Sequence, residues 1–300
     1  MIAPTADRRG FDSLLAWYFV IVWGSGYLAS KIGMQYAAPF TFLTLRFGFG
    51  ITCMLPIVLI ARPLWPATRA ELGHVIAAGL LMHAMNLGGS HYTQYLGVSA
   101  GITAVLLSVQ PLLTALIAAR WMGERLSGRQ WLGVALGLAG VVIVVWHKID
   151  VREMTLGSLL AVTISLVGVT AGTLYQRIFC PLVDLRVSAL VQFIACVLTF
   201  APLAWLIDGF RVNWAWPMFG AIVFLVVGAS ILAVNALHML MRHGEATRVT
   251  SLVYLTPIFA VVLEFALFHV VPSALSVAGI AVTCLGVALV TWTRGRTASG

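Results

Sequence analysis

Long apolar segments alternate with short polar ones along the whole chain. Each apolar run is close to the roughly 20 residues that an α-helix needs to cross about 30 Å of hydrocarbon. Ten such segments occur, at about 13–31, 38–60, 72–95, 98–120, 130–147, 156–178, 186–207, 216–241, 246–269 and 274–292. The pattern predicts an all-α, polytopic membrane protein with ten transmembrane helices and short loops. We expect the first segment to be retained, because its apolar run is long for a signal peptide.

The chain also repeats itself, since Ala246 lies 146 positions after Ala100 and the match continues without a gap. The matched positions are Ala100 and Ala246, Leu106 and Leu252, Pro111 and Pro257, Ser127 and Ser273, Gly133 and Gly279, Gly140 and Gly286, and Trp146 and Trp292. A shift of about half the chain predicts two five-helix repeats, at 13–147 and 156–292. Because five is odd, the two copies cross the membrane in opposite directions, as inverted repeats do in many secondary transporters.

Composition agrees with a membrane protein. Hydrophobic residues make up 61% of the chain and charged residues 9%, against roughly a quarter charged in soluble domains. The net charge of +8 comes from basic residues spread thinly over the ends of apolar runs, so no nucleic-acid partner is predicted. With the N-terminus inside, thirteen arginines lie at cytoplasmic ends and four basic residues at outer ends. This positive-inside bias predicts that both termini are cytoplasmic, in a bacterial-type inner membrane.

Polar side chains occur inside six of the segments, and in the third, fourth, eighth and ninth they recur at helical spacing. An unsatisfied polar group in hydrocarbon is costly. In the third segment, the spacing of His83, Asn86, Ser90 and Gln94 predicts one continuous polar face. We therefore predict that helices 1, 3, 4, 6, 8 and 9 line a substrate path and that the others form an outer support. The predicted substrate-binding residues are Trp23, Ser25, His83, Asn86, Ser90, Gln110, Thr163, Asn235, His238 and Tyr254.

Each of these residues also has a simpler interpretation. Polar side chains on membrane helices can join one helix to another, at about 0.6 kcal/mol per hydrogen bond, and a Ser or Thr hydroxyl can bond to its own backbone. Trp23 fits a packing role as well as a substrate wall. The sequence leaves both interpretations open.

Prolines and charged residues inside the segments raise further alternatives. Pro111 and Pro257 lie mid-span at matched positions, as static kinks or as hinges for alternating access. Glu264 is an acid inside the ninth segment, and it fits a proton-coupling residue or a structural partner equally well. For Lys31 and Arg46 we expect snorkelling or structural cations in preference to anchors for a carboxylate.

The order of short motifs resembles one transporter family. The motifs are Trp23-Gly24-Ser25, Lys31, Pro39 and Arg46; Pro111, Gly123-Glu124-Arg125-Leu126-Ser127, Gly133 and Gly140-Val141; and Gly244, Tyr254-Leu255, Pro257, Gly279 and Gly286. Together they are similar to the EamA branch of the drug/metabolite transporter superfamily over about residues 13–292. One departure is Val270, which stands where the family pattern has a Glu matching Glu124. The resemblance implies a ten-helix exporter of small metabolites, often amino acids, with a cavity between its two halves.

What the sequence lacks narrows the function further. It contains no phosphate-binding loop for ATP and no His, Cys or carboxylate cluster with metal spacing, so we expect no cofactor, no metal and no enzyme activity. We predict a secondary transporter that exports amino acids, neutral or aromatic ones favoured, or similar small metabolites through a central cavity. It would act in the lipid bilayer as a monomer, by facilitated or proton-coupled export. The alternatives are a multidrug or nucleotide-sugar transporter, an intramembrane enzyme and a membrane scaffold.

Overall fold

The computed structural model describes residues 6–121, 126–150, 154–233, 236, 239 and 255–291. In this part of the chain there are ten helices: α1 (Ala6–Gly33), α2 (Pro39–Ala61), α3 (Arg69–Tyr95), α4 (Ala100–Trp121), α5 (Gly128–Asp150), α6 (Leu156–Phe179), α7 (Leu185–Asp208), α8 (Trp216–Ala233), α9 (Leu255–Phe268) and α10 (Ala274–Thr291). Seven of them, α2 to α8, are long and apolar enough to cross a membrane, and α9 and α10 are shorter apolar helices. The predicted all-α, polytopic membrane fold is confirmed.

Several helices begin where a side chain accepts a hydrogen bond from an otherwise free backbone N–H group. Thr68 accepts from the N–H of Glu71 at 3.1 Å in front of α3, and Thr155 and Ser158 form a reciprocal capping box in front of α6. Asp184 caps α7 and also binds the guanidinium of Arg186 at 2.7 Å. This hydrogen-bonded partner holds the pKa of the Asp184 carboxyl below its usual value.

Two of the caps lie at positions that the sequence repeat matches to each other. Ser127 Oγ accepts from the N–H of Gln130 at 3.4 Å in front of α5. Ser273 Oγ accepts from the N–H of Ser276 at 3.2 Å in front of α10. The same residue type therefore starts α5 and α10 with the same local hydrogen bond.

Helix α4 is broken near its middle. Regular helix ends at Leu107 and resumes at Gln110, just before Pro111. Proline has no N–H group, and its ring clashes with the carbonyl four residues earlier, which here belongs to Leu107. Ser108 Oγ bonds to the Val105 carbonyl at 2.7 Å inside the break. The proline predicted to bend this helix therefore interrupts it, while its use as a hinge stays a prediction.

Three helices contain wider, π-helical turns, in which the side chains turn through a smaller angle per residue than in an α-helix. They lie at Leu80–Met85 in α3, Ala204–Asp208 in α7 and Phe224–Ala233 in α8. Such turns are often found at functional sites. In α3 the turn falls within the segment predicted to carry a continuous polar face.

The chain divides into two compact units. The first contains residues from 1–28, 100–150 and 228–300, and the second residues 29–99 and 151–227. Helices α4, α5, α9 and α10 thus belong to the first unit, and α2, α3, α6 and α7 to the second. Each unit combines helices from both predicted repeats. The repeat boundaries themselves stay a prediction.

Antiparallel helix pairs build the second unit. Near its start α2 meets the end of α7, where the Thr41 N–H donates to Asp208 Oδ2 at 2.7 Å, and α2 crosses the middle of α7 where Phe47 and Phe193 are 5.4 Å apart. The start of α6 lies against the end of α3, since Thr93 Oγ1 is 3.5 Å from the Ser158 carbonyl. Near the start of α3, His74 Nδ1 lies 2.7 Å from the hydroxyl of Tyr175, near the end of α6. The pairs α2/α7 and α3/α6 therefore run in opposite directions.

In the first unit, α5 and α10 pack closely against each other in opposite directions. A Cβ atom added at Gly133 would lie 2.6 Å from the Gly286 carbonyl oxygen, and one added at Gly140 2.6 Å from that of Gly279. Glycine lets two helix backbones approach to this distance, so α5 and α10 pack closely along these four glycines. Opposite directions for α5 and α10 are what inverted repeats require.

Candidate functional site

A cluster of hydrogen-bonded polar side chains lies inside the second unit. His83 Nε2 of α3 is 3.1 Å from Gln192 Oε1 of α7. The Gln192 amide nitrogen donates to Ser188 Oγ at 3.0 Å and to Gln176 Oε1 at 3.3 Å. Gln192 is buried, so its amide links three helices at depth, as interhelical polar contacts do in membranes.

Aromatic rings surround this cluster. The Phe47 ring lies 5.9 Å from the His83 ring, 5.4 Å from Phe193 and 6.0 Å from Phe200. His83 and Phe193 are themselves 5.9 Å apart. These phenylalanines could not be singled out from the sequence, because in a chain of this composition an aromatic residue carries little signal until its neighbours are known. The cluster combines polar atoms with flat apolar walls, an arrangement typical of small-molecule sites.

The predicted continuous polar face of α3 is divided in the structure. His83 bonds to α7, whereas Asn86 Oδ1 accepts a hydrogen bond from Ser165 Oγ of α6 at 2.8 Å. Ser90 is buried and bonds to the Leu87 carbonyl of its own helix at 3.2 Å. The prediction of a single face was wrong because it assumed an unbroken period of 3.6 residues, and the π-helical turn at Leu80–Met85 alters that period.

Two neighbouring side chains near the end of α3 have buried polar atoms without a partner in the described residues. They are His91, at Nε2, and Gln94, at both amide atoms. His91 Nδ1 lies 3.4 Å from Ser90 Oγ, and its ring stacks on Phe42 with 6.0 Å between centroids. Buried polar atoms of this kind are normally satisfied by water or a ligand. His91 was missed at the sequence level because it lies one residue beside the predicted face.

Arg46, in the first half of α2, lies beside the Phe47 ring of the aromatic cluster. Its side chain is 9% exposed, so the snorkelling interpretation is wrong for this residue. Its Cζ atom lies 5.9 Å from the centroid of the Phe47 ring, within the range of a cation–π contact. Arg46 therefore brings a buried positive charge to a region walled by aromatic rings.

Glu264 forms a helix cap inside the first unit. Its Oε1 accepts a hydrogen bond from the Ala100 N–H at 3.0 Å, and its Oε2 accepts one from the Gly101 N–H at 2.8 Å. These are the first two residues of α4, where free N–H groups and the helix dipole favour a negative charge. The side chain is almost completely buried. These contacts fit the structural role considered for Glu264. Proton coupling by Glu264 stays a prediction.

The remaining predicted site residues are distributed over both units. Ser25 and Thr163 each donate to a carbonyl of their own helix, at 2.6 and 2.7 Å, which satisfies their hydroxyls locally. Trp23 is 40% exposed and stacks on Phe19 at 5.2 Å. Gln110 follows the break in α4. Asn235, His238 and Tyr254 lie outside the described residues, and Pro257 lies in the first described turn of α9.

The central position of Gln192 gives a stability prediction. Replacing Gln192 by Leu would leave His83 Nε2 and Ser188 Oγ without their partner, and a lost buried hydrogen-bond partner costs about 1–3 kcal/mol. We expect a free energy of unfolding about 2 kcal/mol lower, measured by thermal unfolding of the purified protein in detergent. The matched control is Thr52→Val, at an exposed hydroxyl bonded to its own helix, which should change little. A Gln192→Leu protein as stable as the wild type would contradict this role.

A family model covers nearly the whole chain. The model of the EamA-like transporter family matches residues 12–146 and again residues 155–292. The chain is also similar in fold to a solved crystal structure with a TM-score of 0.64 at 21% sequence identity, over 94% of this chain and 96% of that one. At this identity the likeness shows the fold alone.

Several curated proteins are similar in sequence. An uncharacterized inner membrane transporter of Escherichia coli, YedA, is 28% identical over 269 residues, which cover 84% of this chain and 81% of that protein. The uncharacterized transporter YvbV of Bacillus subtilis is 26% identical over 266 residues, covering 86% and 84%. A probable amino-acid metabolite efflux pump of Escherichia coli is 26% identical over 145 residues, covering 48% of this chain and 46% of that protein.

Proposed function

Since the chain belongs to the EamA-like transporter family, and so is a membrane transporter of small molecules, we propose that it exports amino acids or similar small metabolites. Neutral and aromatic amino acids are favoured as substrates. The observation that carries this choice is the similarity of about half of the chain to a probable amino-acid metabolite efflux pump. The buried polar cluster within a wall of phenylalanine rings supports it, because such a site suits a molecule with both a polar and an apolar end.

The proposed mechanism is alternating access by a monomer in the bacterial inner membrane, with both termini in the cytoplasm. The predicted inverted repeats support this mechanism, since two oppositely oriented copies can exchange their conformations to open one side and then the other. Antiparallel α5 and α10 agree with such repeats. We propose the break in α4 before Pro111 as one hinge, because backbone rotation there disturbs few helical hydrogen bonds.

Facilitated diffusion and proton-coupled export both fit this proposal, and they differ in one measurable respect. A facilitator equalises the substrate concentration on the two sides, whereas a proton-coupled exporter builds a gradient when protons can flow inward. Imposing a pH gradient on substrate-loaded vesicles, with an ionophore to collapse it as the control, separates the two modes.

The proposal predicts faster efflux from cells that contain the protein. Bacterial cells preloaded with a labelled amino acid, one at a time over a panel, should release at least one neutral or aromatic amino acid several-fold faster when they produce the chain. Cells producing an equal amount of a membrane protein without transport activity are the control. If no amino acid in the panel leaves faster, export of amino acids is wrong for this protein, and the same cells can then be loaded with other metabolites.

A further inference from the structure

Arg46 carries a charge that no described residue neutralises. Its side chain lies within the second unit and is more than nine-tenths buried. Its guanidinium contacts the face of the Phe47 ring, and no hydrogen bond or ion pair joins its five N–H groups to another of the described residues. Burying most of an arginine side chain without a counter-charge is unfavourable. The structure therefore holds a cation that a negatively charged group would stabilise.

Further polar atoms without partners lie in the same unit. Helix α2 packs against the second half of α3, where the Phe42 ring of α2 lies 6.0 Å from the His91 ring and the Phe47 ring lies 5.9 Å from the His83 ring. His91 Nε2 and the Gln94 amide have no partner among the described residues, although both are buried. An amide has a donor end and an acceptor end, so Gln94 can bind either half of a zwitterion.

The walls of this region are apolar and flat. Phe47 stacks on Phe200 with ring centroids 6.0 Å apart and contacts Phe193 at 5.4 Å. Phe40 continues the stack, 6.1 Å from Phe200 and 5.8 Å from Tyr92. Aromatic rings in such arrangements favour the flat face or edge of another ring. A ligand with one negative end and an aromatic or apolar body would fit these surroundings.

We propose that Arg46 binds the carboxylate of the transported metabolite, at a site in the second unit walled by Phe47, Phe193 and Phe200. The inference rests on the proposed function and narrows it to substrates that join a carboxylate to an apolar or aromatic body. The planar guanidinium presents two parallel N–H groups that match the two oxygens of a carboxylate. From the sequence alone, a structural cation was the expected role of Arg46.

A carboxylate fits better than a phosphate ester. A phosphate carries a charge of about −1.5 to −2 at neutral pH, whereas Arg46 is the one cation that the described residues place beside the Phe47 ring. The single positive charge of Arg46 balances the single negative charge of a carboxylate.

The test uses full-length protein and a ligand that has a carboxylate but no amine. Purified wild type in detergent is titrated with 3-phenylpropionate while its thermal unfolding is followed, and the same titration is made with Arg46→Gln, Arg46→Lys and the control Arg211→Gln. Arg211 is an exposed residue of the second unit, so its variant removes the same charge from the surface. In parallel, phenylalanine counterflow is measured in proteoliposomes of each variant.

We expect 3-phenylpropionate to stabilise the wild type and Arg211→Gln, and to bind Arg46→Gln roughly 10- to 100-fold more weakly, as loss of a charge-assisted hydrogen-bond partner implies. Phenylalanine counterflow should likewise be retained by the wild type and Arg211→Gln and be weakest for Arg46→Gln. If Arg46→Gln does not fold, Arg46→Lys decides, because loss of the paired N–H groups should still weaken binding several-fold. Unchanged affinity in the folded Arg46 variant, or a wild type indifferent to 3-phenylpropionate, overturns the proposal.

The two hypotheses fail in different ways. If the wild type binds 3-phenylpropionate through Arg46 but transports no amino acid, the carboxylate site stands and amino-acid export is wrong. If wild type and Arg46→Gln transport phenylalanine equally well, amino-acid export stands and the carboxylate site is wrong.

Discussion

Replacing Glu264 by Ala should lower the free energy of unfolding by about 3 kcal/mol, since hydrogen bonds to charged groups contribute about 1.5–3 kcal/mol each. The carboxylate accepts the N–H groups of Ala100 and Gly101 at 3.0 and 2.8 Å. Both would be left buried without an acceptor, because this end of α4 packs in an apolar cluster with Leu28 and Ala260. Loss of the negative charge would also remove its favourable interaction with the helix dipole.

The variant Glu264→Gln separates the capping role from proton coupling. It keeps one acceptor oxygen but turns an N–H donor towards the N–H of Ala100 or Gly101, so we expect about half of the destabilisation of the Ala variant. Thermal unfolding in detergent measures both. If Glu264 carried protons instead, Glu264→Gln would abolish the response of transport to a pH gradient while the protein stayed as stable as the wild type. That outcome, or a Glu264→Ala protein as stable as the wild type, would contradict the capping role.

The second large effect is expected at the contact between α5 and α10. A Cβ atom at Gly286 would lie 2.5 Å from the Gly133 carbonyl oxygen and would also overlap the Gly137 backbone. Neither neighbour is the end of a flexible side chain, so the two helices must move apart. Overpacking of this kind costs typically 1–3 kcal/mol, and we expect Gly286→Ala to lie at the upper end of that range because backbone atoms obstruct the new methyl group.

A matched substitution separates this effect from helix propensity. Gly220 lies in α8 with no atom within 4 Å of an added Cβ, and Gly→Ala in an open helical position stabilises by about 0.4–1 kcal/mol. Gly220→Ala should therefore raise the unfolding temperature in detergent, while Gly286→Ala lowers it. Two variants that shift the unfolding temperature in the same direction would refute the close-packing account of α5 and α10.

Hydrophobic run lengths were sufficient to predict the helices. The third predicted segment, 72–95, and the observed α3 end at the same residue, and the predicted second segment lies within one residue of α2 at both ends. The bend at Pro111 followed from local chemistry, because proline lacks an N–H group and cannot continue a regular helix. Features of this kind depend on residues close in sequence, which is why the sequence alone could predict them.

The partners inside each unit could not be predicted in the same way. Gln192 lies on a helix assigned to the outer support, yet it bonds to His83, which is distant in sequence. Glu264 caps a helix that begins more than 160 residues earlier. Burial of Arg46 depends on which rings of α7 pack against α2. A lone polar residue in an apolar helix shows that a partner is needed, but the helix packing decides which partner it is.

The most direct test of the account is counterflow by the purified full-length chain. Proteoliposomes are loaded with one unlabelled amino acid at a time from a panel, and the same amino acid is supplied outside as a labelled tracer, with protein-free liposomes as the control. We predict transient accumulation of tracer above the control for at least one neutral or aromatic amino acid. No accumulation for any amino acid, with the protein shown to be folded and inserted in the bilayer, would contradict the proposed function.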